Sequence, residues 1–202
     1  VNVMRDGVIG EPQCSYVPPR GDGTAGVNYR RWAGVGGGAV SQMLTHNNYI
    51  NNPPDVAEVF EIFESPTNVC NQCGTEMDAW FIPPVDGDYI FQIAADDNAH
   101  LWFGTDLDTA MTAPEIAAVP GWTSSRQWTK YGEQQSAPQA LTAGSWYFIR
   151  AIANEGGGGD NLAVGVLEPE GGQALQPIPV MLDGHTYLRT FQHGFVSCTL
   201  AW

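Results

Sequence analysis

Phe81-Ile82-Pro83-Pro84-Val85-Asp86-Gly87-Asp88-Tyr89-Ile90-Phe91-Gln92-Ile93-Ala94-Ala95-Asp96-Asp97-Asn98-Ala99-His100-Leu101-Trp102-Phe103 reads as turn, strand, acidic turn, strand. Pro83-Pro84 and Asp86-Gly87 are turn chemistry. From Tyr89 the side chains alternate: Tyr89, Phe91 and Ile93 fall on one face of a strand, and Ile90, Gln92 and Ala94 on the other. The turn that ends this strand carries two adjacent carboxylates, Asp96 and Asp97. Adjacent carboxylates repel, and a fold that displays them commonly meets them with a cation or with hydrogen-bond donors. Carboxylate oxygens on a loop are hard ligands suited to calcium. The plainer reading is two solvated turn aspartates.

The rest of the chain follows the same strand-and-turn style. Its 202 residues suit one all-β domain better than two small ones. The 7 Trp, 7 Tyr and 8 Phe favour strands, and 24 Gly with 14 Pro fit many short strands joined by turns. Charge is sparse and skewed, 22 acidic residues against 8 basic, for a net charge of -14. That balance excludes a nucleic-acid binder, which needs a basic footprint, and docking on anionic lipid. It is compatible with cation binding. No stretch reaches the roughly 18 apolar residues of a spanning helix, so no membrane insertion is expected. Val1 is not followed by the charged and apolar regions of a signal peptide, which fits either a removed signal or an excised module.

Four cysteines are present: Cys14, Cys70, Cys73 and Cys198. Cys70-Asn71-Gln72-Cys73 is a CxxC motif, but a second Cys/His pair for zinc is missing and no βαβ pattern surrounds it. Disulfides are expected, Cys70 with Cys73 and Cys14 with Cys198, although four cysteines allow three connectivities. Disulfides place the chain outside the cytoplasm, at the cell surface or in the extracellular space.

Along the chain, a strand is expected from Val27 to Trp32, a glycine-rich loop from Gly34 to Gly38, a short turn or helix from Val40 to Thr45, and then an Asn/Pro loop. Val56 to Phe63 is ambiguous: Val56, Val59, Phe60 and Phe63 fit a helix and the strand faces fit poorly, but the flanking prolines favour a short element, which is read as a strand. Residues 105–140 are expected to be mostly loop. Leu141 to Ala153 reads as a turn feeding a central strand with aromatics on both faces, and Trp102, Trp146 and Phe148 are assigned to the core. Asn154 to Asn161 is a glycine loop leading into a strand from Leu162 to Leu167, and the tail from Ile178 holds one or two more strands. Arg20-Gly21-Asp22 is an integrin-type tripeptide of the kind that arises by chance. The expected architecture is all-β, an antiparallel two-sheet β-sandwich.

The order of these elements resembles the PA14 domain, the β-sandwich of flocculins and related adhesins. The resemblance is carried by Pro83-Pro84-Val85-Asp86-Gly87-Asp88-Tyr89-Ile90-Phe91 and Asp96-Asp97-Asn98-Ala99-His100-Leu101-Trp102. Leu141-Thr142-Ala143-Gly144-Ser145-Trp146-Tyr147, Glu155-Gly156-Gly157-Gly158-Gly159 and Leu162-Ala163-Val164-Gly165-Val166 continue it. It spans about residues 26–182, within a single domain of residues 1–202 that has N- and C-terminal extensions. The resemblance implies a calcium-dependent carbohydrate-binding module, a lectin or adhesin. In such members two consecutive aspartates joined by a cis peptide both bind one calcium ion, and Asp96 and Asp97 hold that position. A second loop completes the ion's shell with a side-chain oxygen and backbone carbonyls. By position this loop is Asn154 to Asn161, with Asn154, Glu155, Asp160 and Asn161 as side-chain candidates and Gly157 as a carbonyl donor. Lectin-like members carry an amide side chain here, and the register is open. The four glycines could equally make a tight crossing between strands.

The resemblance further implies that a sugar reaches the ion through its hydroxyls, with Asp96 and Asp97 accepting hydrogen bonds from them. Asn98, His100 and the loop of residues 105–135 would select the sugar, with Trp122 or Trp128 stacking on its face. The partner is then a cell-surface glycan or polysaccharide, and the chain a monomeric module of a larger protein. An enzyme is not expected. Glycoside hydrolysis needs two carboxylates roughly 5–10 Å apart across a cleft, which neighbours such as Asp96 and Asp97 cannot provide. No Gly-x-Ser-x-Gly, His-Glu-x-x-His or phosphate-loop pattern occurs. The competing readings are a structural or protein-binding spacer and an accessory domain of a glycoside hydrolase.

Overall fold

The computed structural model describes residues 23–170 and 172–190, with the backbone of residues 13–16 and 196–199. Arg20-Gly21-Asp22 and the side chains of Cys14 and Cys198 lie outside the described residues. The elements are β1 (Gln13–Tyr16), β2 (Val27–Ala33), α1 (Val40–Thr45), α2 (Asn47–Asn51), β3 (Val56–Phe60), β4 (Cys73–Phe81), β5 (Gly87–Asp96) and β6 (Asn98–Gly104). They continue with α3 (Leu107–Thr112), β7 (Ala117–Val119), β8 (Gln139–Leu141), β9 (Tyr147–Glu155), β10 (Asn161–Leu167) and β11 (Ala174–Leu175). The tail adds β12 (Met181–Leu182), β13 (His185–Thr186), β14 (Leu188–Arg189) and β15 (Val196–Thr199).

Two antiparallel sheets face each other. One runs β11-β10-β5-β8; the other runs β3-β2-β4-β9-β6-β7, with β14 added on β4. This is the expected all-β sandwich. Tyr89, Phe91 and Ile93 of β5 and Leu162, Val164 and Val166 of β10 turn inward from the smaller sheet. They meet Met77, Phe81, Leu101 and Ile149 of the larger one. The Phe91 ring lies 5.2 Å from Phe81 and 4.8 Å from Phe103, centroid to centroid.

Strand parity corrects one expectation. Trp102, Trp146 and Phe148 share the even register that points away from the sandwich core. Phe148 is buried, but in a small outer cluster with Ala110 and Trp80. Trp102 is half-buried against a second outer cluster around Trp32 and Ile152. Trp146, just before β9, is 40% exposed. A strand with aromatics on both faces needs cover on both faces, but that cover need not be the main core.

Val56–Phe60 is a strand, as the prolines indicated, and Val40–Thr45 a helix. Two short helices occupy segments read as loop. His46 caps α2, its Nδ1 accepting from the Asn48 amide at 3.2 Å. Asp106 caps α3, its Oδ1 accepting from the Thr109 amide at 2.7 Å. Neither helix is long enough to show a period, which is why both segments read as loop. The tail holds more short strands than expected. β1 pairs with β15 in a register that sets Cys14 opposite Cys198, and Cys70 is bonded to Cys73. No helix among the described residues is long and apolar enough to cross a membrane.

The outer face of the larger sheet, beneath α1 and α2, carries a buried charge network. Glu76 accepts from Arg30 at 2.8 Å, from Arg150 Nε at 3.1 Å and from the Tyr49 hydroxyl at 2.6 Å. Arg30 also bonds Asp78, which accepts from Asn28 at 2.8 Å. Burial pushes the Glu76 carboxyl up, but Arg150 and Arg30 more than reverse this and hold it well below the usual range. Removing one member of a buried ion network strands its partners away from water. Glu76→Ala is expected to lower unfolding free energy by about 3–5 kcal/mol. Urea denaturation checks this, and a loss below about 1 kcal/mol would mean that water replaces the carboxylate.

Candidate functional site

Asp97 is where the chain changes sheets. β5 ends at Asp96 in the smaller sheet, β6 begins at Asn98 in the larger one, and the Asp96–Asp97 peptide between them is cis. A second crossing lies beside it. β9, in the larger sheet, ends at Glu155, and β10, in the smaller, begins at Asn161. Asp96 stands opposite Asn161, and Asn98 opposite Asn154, so the two crossings are in register. Ligand-type oxygens of Asp96, Asp97 and Glu155 all fall within 4.8 Å of one another.

Glu155 is only 3% exposed, and neither of its carboxylate oxygens has a hydrogen-bond partner among the protein atoms. Burial and the charges of Asp97 and Asp96 push its carboxyl up to about 7; the Gly157 amide pulls the other way without closing a hydrogen bond. Burial, then Asp97, pushes Asp96 up to about 6. Asp97 is better served, since its Oδ2 accepts from the Gly156 amide at 3.0 Å. Gly38 closes over the same oxygen at positive φ (+74°), and a Cβ there would stand 3.0 Å from it. Glycine suits both that backbone and that approach.

The remaining expected site residues divide. Asn161 Oδ1 is buried without a partner while its Nδ2 donates to the Thr123 carbonyl at 3.1 Å. With Asp96, Glu155, Asp160, Ser65 and Thr75 it lines a cavity of about 10 Å³, space for one water. Asn154 Oδ1 is likewise unpartnered, and its Nδ2 donates to the Ala39 carbonyl at 2.7 Å. Asp160 is occupied differently, because its Oδ1 accepts from the amides of Val69 at 2.5 Å and Cys70 at 3.2 Å. Asn98 spends both ends on backbone, accepting from the Val40 amide at 2.9 Å and donating to the Val119 carbonyl at 2.6 Å. His100 lies on the outer face beside Trp102, 3.9 Å from Glu115, and does not join the carboxylates. Trp122 is 52% exposed and borders a cleft of about 220 Å³ with Asp96, Asn68, Ser124 and Asn161. Lys130 lies over its ring, 3.3 Å from the centroid. Trp128 is half-buried.

Sequence reasoning missed three supports: Gly38, Thr123 and the segment 65–71. Thr123 is fully buried and ties the Trp122 loop to β5, its Oγ1 accepting from the Ala95 amide at 2.9 Å. The run Gly34 to Gly38 was legible as a loop, but nothing local tied it to Asp97. The donor set is all oxygen with three carboxylates, two of them raised by crowding and burial. That is the chemistry of a hard divalent cation such as calcium, and the orphaned Glu155 oxygens fit such an ion.

Residues 73–167 match the GLEYA domain. Among solved structures the fold is similar to the A domain of epithelial adhesin 9 from Candida glabrata, in complex with Galβ1-4GlcNAc. The TM-score is 0.59 at 15% identity, covering 89% of this chain and 98% of that one. It is also similar to a PA14 sugar-binding domain from an RTX adhesin, with a TM-score of 0.53 at 13% identity, covering 75% of this chain and 93% of that one. The sandwich is therefore of the PA14 type, as the sequence motifs indicated. Among curated proteins, the mouse N-acetyl-beta-glucosaminyl-glycoprotein 4-beta-N-acetylgalactosaminyltransferase 1 is 28% identical over 135 residues, 64% of this chain. The chain spans 13% of that relative's length.

The raised carboxyls fix a sign for the pH dependence of the cation-free protein. Glu155 and Asp96 hold protons more tightly folded than unfolded, so stability falls as pH rises through their windows. These run from 4.5 to about 7 for Glu155 and from 3.8 to about 6 for Asp96. In EDTA, the urea midpoint is expected to drop between about pH 5 and about pH 7.5, and less so in Glu155→Gln. An unchanged slope in Glu155→Gln would mean that the cluster is not its source.

Proposed function

We propose that the chain is a calcium-dependent carbohydrate-binding module of a larger extracellular or cell-surface protein, with no catalytic role of its own. The observation that carries this reading is the convergence of Asp96, Asp97 and Glu155, with Glu155 buried and unpartnered. Asp96 and Asp97 would hold the ion from one crossing, and Glu155, with the Gly157 carbonyl, from the other. The orphaned Oδ1 atoms of Asn154 and Asn161 are the further oxygens nearby in the fold. Asp160 serves better as a clamp than as a ligand, because two amides already occupy its Oδ1. When bound, calcium supplies positive charge and coordination positions that sugar hydroxyls can take in place of water.

The chain's own residues do the rest. Asp96 and Asp97 accept hydrogen bonds from hydroxyls through their remaining lone pairs. The cleft beside Asp96 receives the sugar ring, and the exposed part of Trp122 forms a wall for its apolar face. The sugar complex of epithelial adhesin 9 and the sugar-binding PA14 domain share this fold and support the assignment. The Cys70–Cys73 disulfide supports the location. The small share of the mouse transferase that this chain spans supports a module within a longer, carbohydrate-directed protein.

The test is a glycan array probed in millimolar calcium and in EDTA, with calcium titration of wild type and Asp97→Asn. Binding confined to calcium is expected, and Asp97→Asn should weaken calcium by at least about tenfold and reduce sugar binding with it. Sugar binding that persists in EDTA would remove the ion from the mechanism. No glycan binding in either condition would favour a spacer.

A further inference from the structure

The CxxC motif supplies none of the three clustered carboxylates, yet it sits against them. Cys73 opens β4 directly opposite Glu155. The bond to Cys70 closes a short loop whose Asn71 and Gln72 are exposed. That loop and the two residues before it make four hydrogen bonds to the glycine crossing. Asn71 Oδ1 accepts from the Gly158 amide at 2.9 Å. The Asn68 amide donates to the Asp160 carbonyl at 2.9 Å, and Asp160 Oδ1 takes the amides of Val69 and Cys70. On its other side the loop meets the second glycine segment, where a Cβ on Gly36 would stand 2.9 Å from Gln72 Cβ. Both segments that close on Asp97, one through Gly156 and one through Gly38, thus rest on residues 68–73.

The loop does not hold this shape by local preference. Gln72 has a φ of 52°, a left-handed conformation that residues other than glycine and asparagine seldom adopt, and Asn68 shares it at 57°. Glycines 156–159 have no side chains with which to hold themselves, so their path depends on what they lean against. We propose that residues 68–73, closed by the Cys70–Cys73 disulfide, are the clasp that positions the glycine crossing for cation binding, so that cation affinity follows the oxidation state of that bond. This rests on the calcium reading given above. Asn71 and Asp160 are positioning residues. A dithiol breaks the clasp in a balanced exchange: the S–S bond takes two electrons and two protons to give two thiols, and the dithiol closes to its own disulfide. The ligands remain, but the loop that orients Glu155 and the Gly157 carbonyl is released.

Calcium titration calorimetry on the full chain tests this, with melting temperature in EDTA as the control for folding. Oxidised wild type, Asn71→Ala and the double variant Cys70→Ser/Cys73→Ser are compared. Asn71→Ala keeps the disulfide and changes an exposed side chain, so it tests the clasp even if the double variant fails to fold. Wild type titrated after reduction by a dithiol then tests the dependence on oxidation state: unchanged calcium affinity in the reduced, folded chain would overturn it. Both variants are expected to weaken calcium by about tenfold or more, as loss of groups that orient metal ligands does. In Asn71→Ala this should come with little change in melting temperature. Calcium affinity within about twofold of wild type in folded Asn71→Ala would overturn the clasp and leave the calcium reading standing. Absence of calcium binding in oxidised wild type would overturn the calcium reading, and the clasp with it.

Discussion

Two chain crossings at one corner of the sandwich bring three carboxylates together, and the site follows from that constraint. A two-sheet sandwich must pass the chain between its layers. Here the β5–β6 and β9–β10 passages lie side by side, locked in register by the Asp96–Asn161 and Asn98–Asn154 pairings. The acids cannot separate without breaking ladder hydrogen bonds. Their repulsion is therefore built into the backbone and has to be met from outside, by protons or by a cation. The raised Glu155 and Asp96 carboxyls are that repulsion and burial expressed as proton affinity.

Rigidity behind the corner makes the constraint effective. The outer face of the larger sheet is stitched by Arg30, Glu76, Asp78, Arg150 and Tyr49 across β2, β4 and β9, under the cover of α1 and α2. β9 carries Arg150 in this network and Glu155 at its end, so the strand that delivers the buried acid is anchored five residues earlier. Thr123 does the equivalent on the other side, fastening the Trp122 loop to Ala95, the residue before Asp96.

The legible parts of this molecule were those whose signals are local. Alternation from Tyr89 to Ala94, the turn at Asp86-Gly87, the acid pair and the glycine loop can each be read within ten residues. With the PA14 resemblance they led to the sandwich, to Asp96 and Asp97 as candidates, and to Glu155 only as one of four side chains in a loop of open register. What failed was side selection and remote support. Trp102, Trp146 and Phe148 look like core residues by type, but parity turns them outward, and a single sequence carries no mark of which face the helices will cover. Asn98 and His100 follow the acid pair in sequence, yet β6 begins at once and carries them to the outer face. Gly38 and Asp160 are defined by partners far along the chain, for which local pattern has no signal.

Glu155 adds a third carboxylate to this corner, beside the unpartnered amide oxygens of Asn154 and Asn161 in the same loop. On the calcium reading, three carboxylates against a divalent ion leave one negative charge in excess, in a chain whose net charge is already -14. A site with that surplus attracts hydrogen-bond donors without net charge better than it tolerates an anion, since an anionic group would have to approach through the field of all three acids. Neutral hydroxyls suit it, because each can coordinate through oxygen while donating its proton to a carboxylate. The extra charge also raises the cost of the empty site relative to the filled one, since an amide would leave less repulsion for the ion to relieve. Burial of Glu155, unexplained by any hydrogen bond within the protein, is then the feature that ties cation occupancy most closely to the integrity of the corner.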